Sequence, residues 1–425
     1  RVRIPPLPPY MTKSNKIVKL THIIKGFLIA FIYLLIIIYS VEVLLYCFLG
    51  DEQKSLINIK EKRIELAKKK NINYDGRSEI HAYLEEKKLN KNLSLPFYFN
   101  RSYFYTTIVQ EEILENKFIP FRGPINHQTL SCAEDLKYKL INNDKYGFKN
   151  PNLIYKKDIE IALIGDSYAE GLCENEKNDI SGHLRQQNIN TVNLGVTGSG
   201  PLLSLAILRE YLKEFKPNHV VYLYFEGNDL YDLNWEKKTY LLNYLNPSYS
   251  LDYINKTNQF DNFLKNYQIN KNLDLESFNI NKSELITKEN KLLPIFKDIL
   301  EVQNIKGILR STLFFDKNTI NTSLYFEVLD LINEETKKNN SELIFVYLPS
   351  WSRYFMKYNK DDLIFNKKKE IIKFVKKNEI KFIDFEKILS VANNKKKYFP
   401  LGFVGHYNKA GYNLIADLII QKVNE

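Results

Sequence analysis

Cysteine, histidine and long apolar runs are all scarce in this chain of 425 residues, and each scarcity removes a class of function. The three cysteines, Cys47, Cys132 and Cys173, form no Cys-x-x-Cys pair, and the six histidines are scattered, so a zinc site has no frame. No metal or organic cofactor is implied. Beyond residue 49 no second apolar stretch is long enough to cross a bilayer, which excludes a channel or multi-span protein. An arginine-rich patch is also lacking. The net charge of +11 comes from lysines spread along the chain, with Asn and Ile abundant beside them. That is the mark of a biased genome composition, and nucleic acid is not an expected partner. Hydrophobic content of 44% is ordinary for a globular protein, and the length suits two domains or one large domain with additions.

Residues 1–10 are Pro-rich, and Met11 is a candidate biological start. Lys13, Lys16, Lys19 and Lys25 then lead into residues 26–49, whose one charge is Glu42. About 20 apolar residues cross a bilayer as a helix, so the run is long enough for an anchor in contact with membrane lipid. A cleaved signal peptide would need a shorter apolar region and a small-x-small site, which are missing. A lipoprotein signal is disfavoured by Tyr46 in front of Cys47. The preceding lysines favour a cytoplasmic N-terminus, an asymmetry weakened by Lys54, Lys60 and Lys62. The expectation is residues 1–25 inside, one helix through the cell (inner) membrane over 26–49, and the rest extracytoplasmic. Residues 50–150 read as a stalk and lead-in.

From residue 151 strands alternate with helices. Ile159–Ile164, Thr191–Leu194, Val220–Phe225, Leu343–Leu348 and Phe382–Phe385 are expected strands. Asn178–Gln187, Leu202–Phe215, Leu324–Lys338, Asp362–Lys377 and Lys409–Val423 are expected helices. Strands that are apolar on both faces, with helices between them, imply a parallel sheet covered on both sides, a three-layer α/β domain. Residues 231–322 interrupt this rhythm and are too long for a plain loop. They read as a helical insertion over the top of the sheet, either a lid or a decoration.

Four segments carry chemistry, three at the carboxyl ends of expected strands, where open α/β sheets place their sites. Gly165-Asp166-Ser167 puts a hydroxyl at a strand-to-helix turn, where the Ser167 N–H also points at a developing oxyanion. The plainer reading is an Asp-Ser helix cap. Asn193-Leu194-Gly195-Val196-Thr197-Gly198-Ser199-Gly200-Pro201 brings backbone close to a substrate, or is a tight turn capped by Thr197 or Ser199. Glu226-Gly227-Asn228-Asp229 offers the Asn228 amide as an uncharged oxyanion donor, or is an Asx turn. Near the C-terminus, Gly405-His406-Tyr407-Asn408 supplies a base with a pKa near neutrality, or a structural histidine.

Together, in this order and at this spacing, the four segments resemble the SGNH/GDSL hydrolase superfamily from about Ile159 to Val423. The resemblance implies a flavodoxin-like αβα fold and a serine-nucleophile enzyme acting on ester bonds. It maps the nucleophile to Ser167, the base to His406, and the oxyanion hole to Ser167, Gly198 and Asn228. Asp166 and Asp229 are supporting candidates. An ester-bearing small molecule or surface glycan is the expected substrate, with hydrolysis or acetyl transfer as the reaction. Cys132 and Cys173 flank the first motif strand and are either a disulfide or two buried thiols. One departure stands out: the family's Asp, two or three residues before the histidine, is replaced by Val404 and Phe403. Either a carbonyl or an acid from elsewhere holds His406, with Asp384 a distant candidate, or the pair acts alone. The rival reading is therefore a silent SGNH-like module that binds glycan or assembly partners.

Overall fold

Alternation along the strands divides the core in two. In the computed structural model, Ala162, Ile164, Val220, Tyr222, Phe345 and Tyr347 point to one face of the main sheet, while Ile161, Leu163, Val221, Leu223, Ile344 and Val346 point to the other. Both sets are buried, so every central strand needs a helical layer on each side. The structure describes residues 13–48, 59–94, 121–134, 136–262, 264, 266, 302, 305, 320, 322–356 and 362–425. The start at Met11 lies outside them.

Eight strands are numbered in chain order. Leu93–Ser94 (β1), Gln128–Ser131 (β2) and Lys139–Asn142 (β3) make a small sheet. Ile161–Gly165 (β4), Thr191–Asn193 (β5), His219–Phe225 (β6), Glu342–Leu348 (β7) and Lys381–Asp384 (β8) form an all-parallel sheet in the order β5-β4-β6-β7-β8. Helices Pro201–Phe215, Thr322–Lys338 and Lys368–Lys377 bury their apolar stripes on one face. Ile180–Gln186, Phe385–Ser390 and Lys409–Val423 cover the other. The expected Asp362–Lys377 helix is broken into Asp362–Phe365 and Lys368–Lys377. The strand order reverses beside β4, so the crevice above β4 and β6 is the switch point where such sheets carry their sites.

The compact unit holding the sheet spans Ser55–Glu284 and Lys317–Glu425, so the described residues between 59 and 150 pack with it and do not stand apart as a stalk. The helix Ile59–Lys69 buries Ala67 and packs Leu66 on the core, because its apolar positions fall on one stripe facing the domain. The described part of the insertion packs against the helical layer on one face of the sheet. Tyr244, Tyr253 and Phe260 pack into the core beside helix Pro201–Phe215, whose Arg209 donates to Asn246 O (2.8 Å) and whose Glu210 accepts from Tyr253 N (2.8 Å). Most of residues 265–321 lie outside the described set.

The second unit, Arg1–Lys54 with Leu285–Asp316, contains the helix Lys13–Phe48. Over Ile24–Leu44 its mean hydropathy is 2.6 and nearly all described side chains are exposed, Phe27 by 74%. It is the one helix among the described residues long and apolar enough to cross a membrane. Its charge, Glu42, is buried and accepts from Ile305 N at 2.9 Å within the same unit.

Candidate active site

Strand β4 delivers Ser167 to the crevice through a turn that only glycine can make. Gly165 has φ +140°, and a Cβ there would meet Leu223 O at 2.6 Å. Asp166, buried, accepts from Tyr168 N (2.9 Å) and caps the short helix Ser167–Glu170. The cap reading therefore belongs to Asp166 and leaves the serine hydroxyl free for another partner. As the first helical residue, Ser167 has an N–H with no intrahelical acceptor.

The last segment closes on the first. His406 Nε2 lies 2.8 Å from Ser167 Oγ across 239 residues of sequence. The imidazole packs against Tyr168, whose ring stacks on Phe225 and whose hydroxyl donates to Gly405 O (3.3 Å).

Behind the imidazole stands an acid that the sequence reading did not name. Glu134 Oε1 is 3.2 Å from His406 Nδ1, and its Oε2 accepts from His406 N at 2.8 Å. Asp384 is engaged elsewhere: it caps helix Phe385–Ser390 through Lys387 N (3.1 Å) and pairs with Lys368 (2.7 Å). Burial opposes the Glu134 charge, but His406 and then Arg63 overcome that penalty and hold the carboxyl down at about 2. Burial likewise opposes the His406 cation, and the Glu134 charge outweighs it, leaving the imidazole above its ordinary value. Gly405 makes the approach possible, since a Cβ there would sit 2.6 Å from Glu134 Oε2.

A signal for Glu134 was present in the cysteines. Cys132 and Cys173 are bonded, with Cα atoms 4.8 Å apart at a sequence separation of 41. Cys173 follows Ser167 closely, so this link brings the chain around Cys132, and Glu134 with it, to the serine. Closing a loop of this length is expected to contribute roughly 4 kcal/mol of stability. Reduction, or Cys132→Ala with Cys173→Ala, is expected to lower the urea midpoint accordingly; an unchanged midpoint in a denaturation series would contradict it. Glu134, Cys173 and His406 also bring ligand-type atoms within 4.8 Å of one another, but the Cys173 sulfur is committed to the disulfide.

The second segment is tied down under the crevice. Gly198 has φ +81°, Val196 N donates to Gly165 O (3.0 Å), and Ser199 Oγ donates to the same carbonyl (2.9 Å). Glu170 Oε2 accepts from both Thr197 N (2.6 Å) and Thr197 Oγ1 (2.5 Å). Neither Thr197 nor Ser199 caps the next helix. That work falls to Glu236, buried and pushed up to about 7, which accepts from Gly200 N (2.7 Å) and Leu202 N (2.9 Å). In the third segment, Asn228 opens helix Asp229–Glu236 without a side-chain cap bond, so it is not a capping Asx turn. The Asn228 amide lies near enough to the Asp166 carboxylate to favour its charge, and its nitrogen carries two N–H groups. Asp229 accepts from Phe225 N (3.1 Å). Burial raises Asp166 to about 6 and holds Asp229 well above the carboxylate range, with Asp166 and Asp232 adding to the Asp229 shift. Both aspartates support the floor of the site and make no bond to Ser167 Oγ or the His406 ring.

No protein-family model matches the chain, and no curated protein sequence does. Solved structures do match. A lipolytic protein of the G-D-S-L family from Desulfitobacterium hafniense is 13% identical, covering 62% of this chain and 99% of its own, with a TM-score of 0.35. The lipase/acylhydrolase from Enterococcus faecalis is 14% identical over 62% and 95%, with a TM-score of 0.34. A catalytic mutant of Axe2, an acetylxylan esterase from Geobacillus stearothermophilus, is 12% identical over 64% and 97%, also at 0.34. The fold itself is decided by the strand order and by the four segments meeting at the switch point. The chain has the SGNH hydrolase fold. Within an SGNH fold the histidine and its acid ordinarily share one loop. Here the acid arrives from the segment that follows β2.

Proposed function

We propose that this chain is a membrane-anchored, extracytoplasmic serine esterase or acyltransferase. The observation that carries the reading is the continuous contact from Ser167 Oγ through His406 Nε2 and Nδ1 to Glu134. In the proposed reaction Ser167 Oγ attacks an acyl carbonyl and His406 Nε2 takes its proton. Glu134 keeps the Nδ1–H tautomer facing away from the serine and stabilises the imidazolium. The N–H groups of Ser167 and Gly198 and the Asn228 amide receive the charge that develops on the carbonyl oxygen. His406 then protonates the departing alkoxide, leaving an acyl-Ser167 ester. Water, or a sugar hydroxyl deprotonated by His406, attacks that ester and frees Ser167.

An O-acetylated or acetyl-accepting surface glycan is the substrate class we place first. The long apolar helix and the Cys132–Cys173 link support an extracytoplasmic setting, since disulfides persist outside the reducing cytosol and surface glycans are found there. The rival reading of a silent binding module rests on the missing acid before His406, and the 3.2 Å contact of Glu134 with His406 Nδ1 supports the esterase reading over it.

The test uses the full chain in detergent with a fluorophosphonate probe and an acetyl chromogenic ester. Covalent labelling of Ser167, located by peptide mass spectrometry, and turnover of the ester are expected. An unlabelled Ser167 together with no turnover of acetyl esters or acetylated glycans rejects the reading.

A further inference from the structure

The acid of the site is held by a residue from a segment whose sequence reads as a stalk. Arg63 lies on helix Ile59–Lys69, and its side chain is only 14% exposed. One guanidinium nitrogen, Nη2, donates both to Glu134 Oε1 (3.1 Å) and to Val404 O (2.9 Å), two residues before His406. A single rigid group thus spans the loop that carries the acid and the loop that carries the base. Neighbouring bonds repeat the pattern. Lys70 Nζ donates to Leu401 O (2.8 Å), and Tyr74 Oη donates to Ala133 O (3.1 Å), the residue before Glu134.

We infer that Arg63 is a positioning residue, which fixes Glu134 against His406 Nδ1 so that the imidazole keeps the tautomer and angle needed to serve Ser167. The inference rests on the esterase reading above. A guanidinium suits the task better than an ammonium, because its planar fork gives fixed donor directions and it is never neutral. Glu134 already spends Oε2 on the His406 backbone N–H and Oε1 on the ring. Without Arg63 the Oε1 end keeps only the imidazole, a partner that itself moves. The charged groups acting on His406 are then Glu134, Arg63, Asp166 and Glu170, with Tyr168 against the ring.

The experiment is a double-mutant cycle on the full chain in detergent, read by the rate of Ser167 phosphonylation and by kcat and KM on an acetyl ester. Arg63→Met is expected to lower kcat and the labelling rate by about 10- to 100-fold with KM little changed, the loss of a hydrogen bond to a charged group. Arg63→Lys is expected to recover part of that loss. In a Glu134→Gln background, Arg63→Met is expected to cost less than about two-fold, because the group it positions has lost its charge. If the Arg63→Met penalty persists at full size in the Glu134→Gln background, Arg63 does not act through Glu134 and the inference fails while the esterase reading stands. If Arg63→Met does not fold, Arg63→Lys carries the same cycle. A wild-type chain that neither labels nor turns over ester overturns the esterase reading, and the inference falls with it.

Discussion

Ser167→Ala, His406→Ala and the double variant are all expected to lose about the same activity, on the order of a million-fold in kcat. In the proposed mechanism the nucleophile and base act as one unit: a serine whose proton has nowhere to go is hardly better than no serine. The 2.8 Å contact between Oγ and Nε2 is the structural basis for that coupling. A residual rate above water is expected in every case, because the proposed oxyanion donors, the N–H groups of Ser167 and Gly198 and the Asn228 amide, are untouched by these substitutions. The measurement is kcat on an acetyl ester for the three variants, with far-UV circular dichroism to show that each is folded. Two single losses that multiply in the double variant would mean that Ser167 and His406 do not share a proton.

Glu134→Gln is expected to cost about 10⁴-fold in kcat, by analogy with serine proteases whose orienting carboxylate is replaced by an amide. A glutamine can present an N–H to Nδ1 and so favour the wrong tautomer. The pH profile carries a second signature. His406 must be neutral to accept a proton, so activity rises with pH through its pKa. Burial lowers that pKa and the Glu134 charge raises it further than burial lowers it, so the wild-type acid limb is expected above 6.5. Removing the charge leaves burial to dominate, and the limb is expected to move to lower pH in Glu134→Gln. A full rate at neutral pH, or an acid limb that stays in place, would remove Glu134 from the site.

The sheet was legible because its strands are short apolar runs punctuated by helical stripes, and that pattern survives without any knowledge of contacts. The closing helix Lys409–Val423 was legible for the same reason, as were the four chemistry-bearing turns, three within a few residues of a strand end and the fourth just before the closing helix. What escaped is long-range. Glu134 and Arg63 are ordinary charged residues in polar surroundings, and only their meeting 272 and 341 residues away, with His406 and Val404, makes them special. The lysine-rich helix around Arg63 has so little apolar surface that its buried Ala67 and half-buried Leu66 were too small a signal to mark it as part of the domain. The cap of helix Pro201–Phe215 was not legible because it comes from a carboxylate of a different helix, Glu236, rather than from nearby Thr197 or Ser199.

The order of the three groups along the chain bears on when activity can begin during synthesis. A ribosome releases the acid first, the nucleophile soon after, and the base only 239 residues later. Most of the sheet is made before the proton acceptor exists. On the proposed mechanism a partly made chain therefore carries an unarmed serine, and any ester chemistry is delayed until synthesis has passed His406.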